Sequence, residues 1–334
     1  MQAIPSNNPS GNGKGGRARP ENRAAAVISA GRGVMKLYLV SGLIIVALML
    51  LAGLIMRAAQ ATWLTLTPDW FYAILTLHGA GMIVALAVCA MGALWFLIRR
   101  HVEFNAPVAA LAWVLIMLGV VGVIVATLFG RFGGLYTFLF PLPFHGSWPN
   151  WATGVFLIAM MLVNAGWMIW SAQMLGGVLR AFGGFRGALG WDYVWHKQAF
   201  QAAERQPPPP EALPAFMVGF DGLVAGMAAT LLGVALLVRW MDPRVILDPL
   251  WAKNLTYFWA HTFANLIIYM LAALIYVGLP YATRRTYHTS TVLVVGWWTS
   301  MVLTMTNYFH HLYMDFAQPG ILQYFGELSS YLSA

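Results

Sequence analysis

The segments YFWAHTFANLIIYMLAALIYVGLP, residues 257–280, and TVLVVGWWTSMVLTMTNYFHH, residues 291–311, decide the fold. Each is an apolar run of the length that crosses a bilayer, which takes about 20 residues. The first segment carries His261 in its first half, and the second ends on the pair His310-His311. Histidine is costly in lipid, so histidines inside such segments indicate a functional site. Three neutral imidazoles that converge would suit a transition metal.

The composition is that of a membrane protein. The chain has 334 residues, of which 60% are hydrophobic and 9% charged, whereas soluble domains are roughly one quarter charged. The single cysteine excludes a disulfide framework and a cysteine metal cluster. The net charge is +8, but the basic residues lie in loops and in the N-terminal tail. We interpret them as topology signals and expect no nucleic-acid partner.

The apolar runs predict an all-α polytopic membrane protein with seven transmembrane helices. Residues 1–33 are rich in Gly, Asn, Pro and Arg without an apolar period, and we expect a disordered basic tail there. Residues 34–334 form the membrane domain. Lipid cannot satisfy an open backbone, so each span must be a helix. The predicted spans, numbered 1 to 7, are about 36–57, 70–98, 106–129, 151–176, 217–239, 254–279 and 290–313.

The distribution of Lys and Arg gives the orientation. With the N-terminus inside, the inner segments hold fourteen of these residues and the outer segments five, which is a positive-inside bias. His78 of span 2, His261 of span 6 and the His310-His311 pair of span 7 then share the outer half of the membrane. We expect the remaining histidines to be solvated loop residues: His101, His145, His196 and His288.

These membrane histidines suggest two kinds of site. Three imidazoles without a thiolate or carboxylate suit copper, or zinc with an open position. Adjacent helical residues point about 100° apart, so His310 and His311 can share one ion only if the helix end is distorted or the ion lies beside it. His78 precedes Gly79 and Gly81, which would let a large flat group or another helix approach closely. An isolated imidazole with small neighbours suits an axial haem ligand. For all four histidines the alternative is hydrogen-bonded helix packing.

Three motifs carry a specific resemblance. Thr76-Leu77-His78-Gly79, Trp259-Ala260-His261, and Phe309-His310-His311 followed by Asp315–Gly320 together resemble subunit I of the haem-copper oxidase superfamily. The similarity covers residues 36–325 and is strongest to the B-type oxygen reductases and a related nitric oxide reductase lineage. It implies that His78 is an axial ligand of the low-spin haem. It also implies that His261, His310 and His311 hold the copper of a binuclear centre that faces a high-spin haem.

The resemblance also implies a setting for the chain. A respiratory terminal reductase of this kind lies in the cytoplasmic membrane of a bacterium, here with its N-terminus in the cytoplasm. It receives electrons from a cytochrome c or a cupredoxin-type donor through a small second subunit, and membrane lipid surrounds it. Family members continue into helices that carry the second low-spin haem ligand and the high-spin haem ligand. Because this chain ends at Ala334, we expect a fragment that lacks the C-terminal helices, or a partner chain that supplies them.

The sequence departs from the oxygen reductases at a functional tyrosine. The B-type enzymes carry this tyrosine at the position of Asn265 and the C-type enzymes at that of Thr304. The tyrosine gives an electron and a proton when the O–O bond breaks, and asparagine cannot be oxidised in its place. Nitric oxide reduction breaks no O–O bond, so Asn265 favours a nitric oxide reductase over a cytochrome c oxidase. The alternative is that Asn265 is a packing residue and that Tyr308 or Tyr269 serves instead. The usual His-Pro pair is also replaced, by His261-Thr262.

A polar stripe on span 6 indicates a proton path. His261, Asn265, Tyr269 and Tyr276 fall within a sector roughly 80° wide. Tyr276 resembles the position of a proton-path tyrosine in the B-type enzymes, so we expect Tyr276 and Tyr269 to carry protons from the inner side. Interfacial packing is the alternative for both tyrosines.

Two other classes of protein fit less well. A metal transporter would show an inverted repeat or broken spans in two halves, and neither is present in the sequence. It would also need membrane carboxylates, and the spans carry almost none; Asp221 near the start of span 5 is as easily a cap-like or interfacial residue. A non-catalytic paralogue would have little reason to keep three costly buried histidines.

Overall fold

The computed structural model describes residues 20–333, which are mainly helical and contain no strand. The α-helices in chain order are α1 Pro20–Gln60, α2 Pro68–Ile98, α3 Ala106–Ile124, α4 Asn150–Ala181, α5 Phe185–Ala188, α6 Trp191–Trp195, α7 Lys197–Ala202, α8 Ala212–Met241, α9 Pro249–Thr283, α10 Thr291–Thr306 and α11 Gly320–Ser333. A π-helical turn, Val125–Phe129, continues α3, and 3-10 turns form at Leu142–Phe144 and Asn307–His311. The predicted all-α polytopic fold is confirmed.

The predicted spans correspond to six long helices and one shorter helix. Six segments within the described part of the chain have the length and composition to cross a membrane: Gly31–Gln60, Pro68–Ile98, Ala106–Phe129, Asn150–Ala181, Ala212–Met241 and Pro249–Thr283. Span 7, predicted over 290–313, is different. Its α-helix α10 has 16 residues and ends at Thr306, and a five-residue 3-10 turn then carries the chain to His311. The histidine pair therefore lies outside the α-helix proper.

The N-terminal tail is partly helical where we expected disorder. Residues 1–19 of the predicted tail lie outside the described part of the chain, but α1 already begins at Pro20. Proline fits the first turn of a helix, and the run Arg23-Ala24-Ala25-Ala26 consists of strong helix formers. The first helix therefore begins well before the predicted start of span 1. Helix α11 was not predicted.

Two side-chain caps set the start of the helices that carry the histidines. Asp248 accepts a hydrogen bond from the Leu250 N–H at 2.7 Å and precedes the proline that opens α9. Ser290 accepts a hydrogen bond from the Leu293 N–H at 3.2 Å at the start of α10. Caps of this kind satisfy the free N–H groups of the first turn. They fix the register of α9 and α10, and hence where the histidines lie.

The helices pack side by side, and α9 has α2, α8 and α10 as neighbours. Helix α2 lies against α1 and α9, α4 lies between α3 and α8, α8 lies between α4 and α9, and α10 contacts α8 and α9. Helices α3 and α4 approach closely. A Cβ at Gly119 would lie 2.6 Å from the Ala159 oxygen, and one at Gly166 would lie 2.5 Å from the Ala112 oxygen. Small residues at such crossings are typical of membrane helix pairs.

The proline-rich connection between α4 and α8 is packed against the bundle. Pro208 is buried, and its carbonyl oxygen accepts a hydrogen bond from the Thr289 hydroxyl at 2.6 Å. Glu211 is buried next to it and contacts Nε2 of His101 at 2.8 Å. His101 lies in the turn after α2 and is exposed, as predicted, and it also contacts this buried carboxylate.

Candidate metal centre

Three imidazoles meet where α9 faces the 3-10 turn. Nδ1 of His261 lies 3.2 Å from Nε2 of His311, and Nε2 of His310 lies 3.1 Å from the same atom. One ring nitrogen from each histidine lies within 4.8 Å of the others. The structure therefore brings together the three residues that the sequence singled out.

The 3-10 turn is what allows neighbouring histidines to share a site. The α-helical hydrogen bonding stops at Asn307, and the turn is closed by the Leu312 N–H, which donates to the Phe309 oxygen at 2.9 Å. The ring centroids of His310 and His311 lie 4.2 Å apart, and those of His261 and His310 lie 4.8 Å apart. This is the distorted helix end that a shared ion requires.

The donor set fits a metal ion. In each of the two close contacts a pair of ring nitrogens face each other, and a neutral imidazole has one donor and one acceptor nitrogen. Nδ1 of His310 is buried without a partner. The three-histidine group includes no carboxylate or thiol. Imidazole donors suit copper and zinc, so copper fits the residues present.

Tyr257 and an ion pair hold the histidine turn against α9. The Tyr257 ring stacks on that of His311, with centroids 5.1 Å apart and planes at 15°. Lys253 of α9 pairs with Asp315, which follows the turn, and Asp315 also accepts the Ala317 N–H at 3.0 Å. The hydrogen bond from Lys253 lowers the pKa of Asp315. Sequence reasoning missed Tyr257 and Lys253, because only their partners in the folded chain distinguish them.

Asn265 lies at the ring of His261. Its Nδ2 is 3.2 Å from Nε2 of His261 and donates to the His261 carbonyl oxygen at 2.9 Å. Thr304, the other position of interest, bonds to the Tyr269 hydroxyl. The Tyr308 hydroxyl instead donates to Oδ1 of Asn254 at 3.4 Å. Of these polar side chains, Asn265 is therefore the one that contacts Nε2 of His261, the ring nitrogen that does not face His311.

The two tyrosines of the predicted proton path both contact Trp297. Trp297 lies edge-on to the Tyr269 ring at 5.1 Å and to the Tyr276 ring at 6.3 Å. Tyr276 stacks on Tyr287 with centroids 5.5 Å apart. Tyr269 and Tyr276 are not hydrogen-bonded to each other in the described part of the chain, so protons would need ordered water between them. Their role stays a prediction.

The imidazole of His78 lies against the backbone of α1. Its Nδ1 lies 2.8 Å from the Met49 oxygen of α1, so this nitrogen carries the proton and Nε2 keeps its lone pair. A Cβ at Gly53, one turn further along α1, would lie 2.9 Å from the imidazole Cε1. The ring therefore occupies a cradle that a side chain would fill, and this fits a histidine presented to a haem iron.

The glycines after His78 allow other parts of the chain to approach closely, which is one of the two possibilities that the sequence offered. A Cβ at Gly79 would lie 2.5 Å from the Tyr136 ring, and one at Gly81 would meet the Met49 sulfur. These positions therefore admit side chains of the protein itself. The space beside the imidazole comes instead from Gly53 on the neighbouring helix.

An apolar cavity of about 80 Å³ lies between α2, α4 and α9. Trp259, Ala260 and Ala264 of α9 form one wall, and Tyr136 forms part of another. Ala260 immediately precedes His261 in the sequence. A cavity of this size and lining suits a small uncharged molecule.

The prediction that Asp221 is a cap-like or interfacial residue was wrong. The residue is completely buried in α8, and neither carboxyl oxygen has a hydrogen-bond partner. The sequence did contain a sign of this burial, because Asp221 is a single acidic residue inside an otherwise apolar span.

Comparison with known families places this geometry in context. The profile of the family described as Cytochrome C and Quinol oxidase polypeptide I matches residues 33–334. A comparison with curated proteins gave no match. The matched region contains all seven predicted spans and the three clustered histidines. The chain therefore belongs to the cytochrome c and quinol oxidase polypeptide I family, the subunit I of the haem-copper oxidases.

Proposed function

We propose that this protein reduces nitric oxide to nitrous oxide at a haem–copper centre, with His261, His310 and His311 as the copper ligands. Family membership makes the chain a multi-pass membrane subunit of an oxidoreductase, in a family that typically binds haem and copper. Family membership also favours an oxidoreductase over a metal transporter. The observation that carries the choice of substrate is Asn265, which contacts Nε2 of His261.

The two reductions place different demands on that position. Two molecules of nitric oxide, two electrons and two protons give one nitrous oxide and one water, and no O–O bond is broken. Bound copper and haem would supply the electrons. Oxygen reduction requires a further electron and proton when the O–O bond breaks, and an oxidisable phenol beside the metal gives both. The amide of Asn265 cannot supply that electron.

The protein side chains would orient the ligands and deliver protons. Nδ2 of Asn265 lies 3.2 Å from Nε2 of His261 and donates to the His261 carbonyl oxygen, so this amide would hold the ring of His261 in place for the metal. Tyr269 and Tyr276 lie on the inner side of the cluster in the proposed orientation, with the N-terminus in the cytoplasm. A cytochrome c or cupredoxin-type donor would supply electrons through a second subunit.

Oxygen reduction to water is the second candidate, and Tyr257 is the observation that favours it. Its ring stacks on His311, so an oxidisable phenol lies beside the proposed copper ligands. It belongs to the first turns of α9, on the opposite side of His261 from Asn265 in the sequence. Oxygen chemistry would require Tyr257 to replace the missing tyrosine.

Gas consumption by the complete enzyme tests the choice. The enzyme is supplied with a reduced donor, and nitric oxide and oxygen are followed separately with electrodes. We expect nitric oxide to disappear with half as many molecules of nitrous oxide formed, and little oxygen uptake. Rapid oxygen uptake with nitric oxide left untouched would contradict the proposal. An oxygen activity that is lost in Tyr257→Phe would establish the second candidate.

A further inference from the structure

A pocket of about 220 Å³ lies where α4 begins and α8 ends. The 3-10 turn Leu142–Phe144 and the residues that lead from it to α4 close its remaining side. The volume is far above the ~10–15 Å³ that one water molecule needs. The proposed metal centre between α9 and the turn at Asn307–His311 does not use this pocket.

The charged residue in the pocket wall is Arg239, which is half-buried. Its Nη1 donates to the Val245 carbonyl oxygen at 3.0 Å, and a guanidinium has further N–H donors. No ion pair in the described part of the chain includes Arg239. Asp242 interacts with it at longer range, but Arg244 donates to both carboxylate oxygens of Asp242, at 2.9 Å each. The pocket is therefore positively charged and suits an anion.

The other walls of the pocket are largely aromatic, with the rings of Phe144, Trp148 and Trp240. The indole N–H of Trp148 donates to the Thr153 hydroxyl at 2.9 Å. The indole N–H of Trp240 donates to the Asn150 carbonyl oxygen at 2.9 Å. Since both indole donors are used within the protein, the rings offer carbon surface to a ligand. An anion with an apolar part fits this combination of a guanidinium and aromatic carbon.

The pocket lies at the level where lipid headgroups would be. Helices α4 and α8 both have the length and composition to cross a membrane, and the pocket is at their ends. Tryptophan is typical of this boundary between lipid and water. Exposed apolar side chains run along α8 away from the pocket, at Met241, Val238, Val234 and Leu231. Their spacing of three and four residues places them on one face of the helix, which acyl chains can cover.

We propose that this pocket binds the phosphate group of a membrane phospholipid, with Arg239 as its counter-charge. The phosphate oxygens accept charge-assisted hydrogen bonds from the guanidinium. The glycerol lies against the tryptophan rings, and the acyl chains follow the apolar face of α8. Inorganic phosphate has the same charged group but no apolar part to cover that face. Because the pocket walls come from α4, α8 and the connection before α4, the bound lipid joins these three elements.

Native mass spectrometry of the complete enzyme tests the lipid site. The enzyme is stripped of lipid in detergent and titrated with phosphatidylethanolamine, and the bound molecules are counted. We expect one molecule to stay bound at collision energies that remove the others. Arg239→Met should weaken its binding about tenfold, because a hydrogen bond to a charged group is lost. Arg57→Met is the matched control, since Arg57 lies in the last turn of α1, is exposed and does not line the pocket; it should bind lipid as the wild type does.

Each outcome decides for or against a phospholipid at this pocket. A wild-type enzyme that holds no phospholipid overturns the proposal and requires no variant that folds. Equal binding in the wild type and Arg239→Met overturns it as well, and so does an equal loss in Arg57→Met, which would indicate a general effect of surface charge. Excess inorganic phosphate distinguishes the two sources of the anion. It should leave the lipid bound, and displacement of the lipid would assign the pocket to a free anion instead.

Discussion

Replacement of Gly53 by alanine should displace the His78 imidazole. The new Cβ would lie 2.9 Å from Cε1 and 3.3 Å from Nδ1 of His78, with Nε2 at 3.5 Å. Ordinary carbon contacts are about 3.5–4.0 Å, so the ring must move by roughly half an ångström or α1 must shift. The same ring is held by the Met49 oxygen at 2.8 Å, so either movement disturbs this hydrogen bond.

The cost can be worked from these contacts. Overpacking of this kind costs ~1–3 kcal/mol, and a weakened hydrogen bond removes about 1 kcal/mol. If half of the strain falls on the ligand, haem affinity at this position drops about fivefold, since 1.4 kcal/mol corresponds to tenfold. We expect Gly53→Ala to show less low-spin haem per polypeptide and a broadened low-spin signal in optical and electron paramagnetic resonance spectra.

Gly33→Ala is the matched control on the same helix. A Cβ at Gly33 would meet nothing within 4 Å, and alanine is the better helix former by about 1 kcal/mol. This variant should keep its haem and its spectrum. If Gly53→Ala retains full haem content and an unchanged low-spin spectrum, the imidazole cradle is not the determinant of ligand position and the argument fails.

Two further predictions concern ion pairs at opposite ends of the bundle. Lys253→Met should weaken copper retention about fivefold in a chelator competition, because a partly buried pair contributes ~1 kcal/mol. Equal copper retention in the variant and the wild type would show that the Lys253–Asp315 pair does not support the metal site. The lowered pKa of Asp315 means that this contribution is present above the ordinary carboxyl value near 3.9 and is lost as pH falls through the lower folded value. The effect of Lys253→Met on copper retention should therefore be the same at every pH from about 5 to 8. Glu211→Gln should lower the free energy of unfolding by about 2 kcal/mol, because Arg100 and His101 both bind one oxygen of Glu211; an unchanged denaturation midpoint would contradict this.

The sequence predicted those parts of the fold that depend on a local property, such as the length of an apolar run or a helix cap. Apolar length alone gives the six long helices, because lipid leaves the backbone no other solution. The Asp248-Pro249 and Ser290-Thr291 boundaries also follow from local capping chemistry. The histidine cluster could be predicted because the cost of imidazole in lipid makes each histidine conspicuous.

The remaining features depend on contacts between distant parts of the chain. The turn that carries His310 is closed by local hydrogen bonds but covered by α11, since a Cβ at Gly326 would lie 2.6 Å from the backbone of Phe309. Asp221 was misjudged because its burial depends on the packing of α4 and α9 around α8. Such features require a knowledge of which helices are neighbours.

The shared histidine site has a consequence for the maturation of the protein. His261 and His311 are 50 positions apart, so a bound ion would act as a cross-link that closes the α9–α10 hairpin into a ring. Binding to the folded form alone adds about 4 kcal/mol when free metal exceeds its dissociation constant 1,000-fold. The helices can assemble first, and the ion then locks the 3-10 turn in place. Under copper starvation this turn should therefore be the first segment to open to proteases.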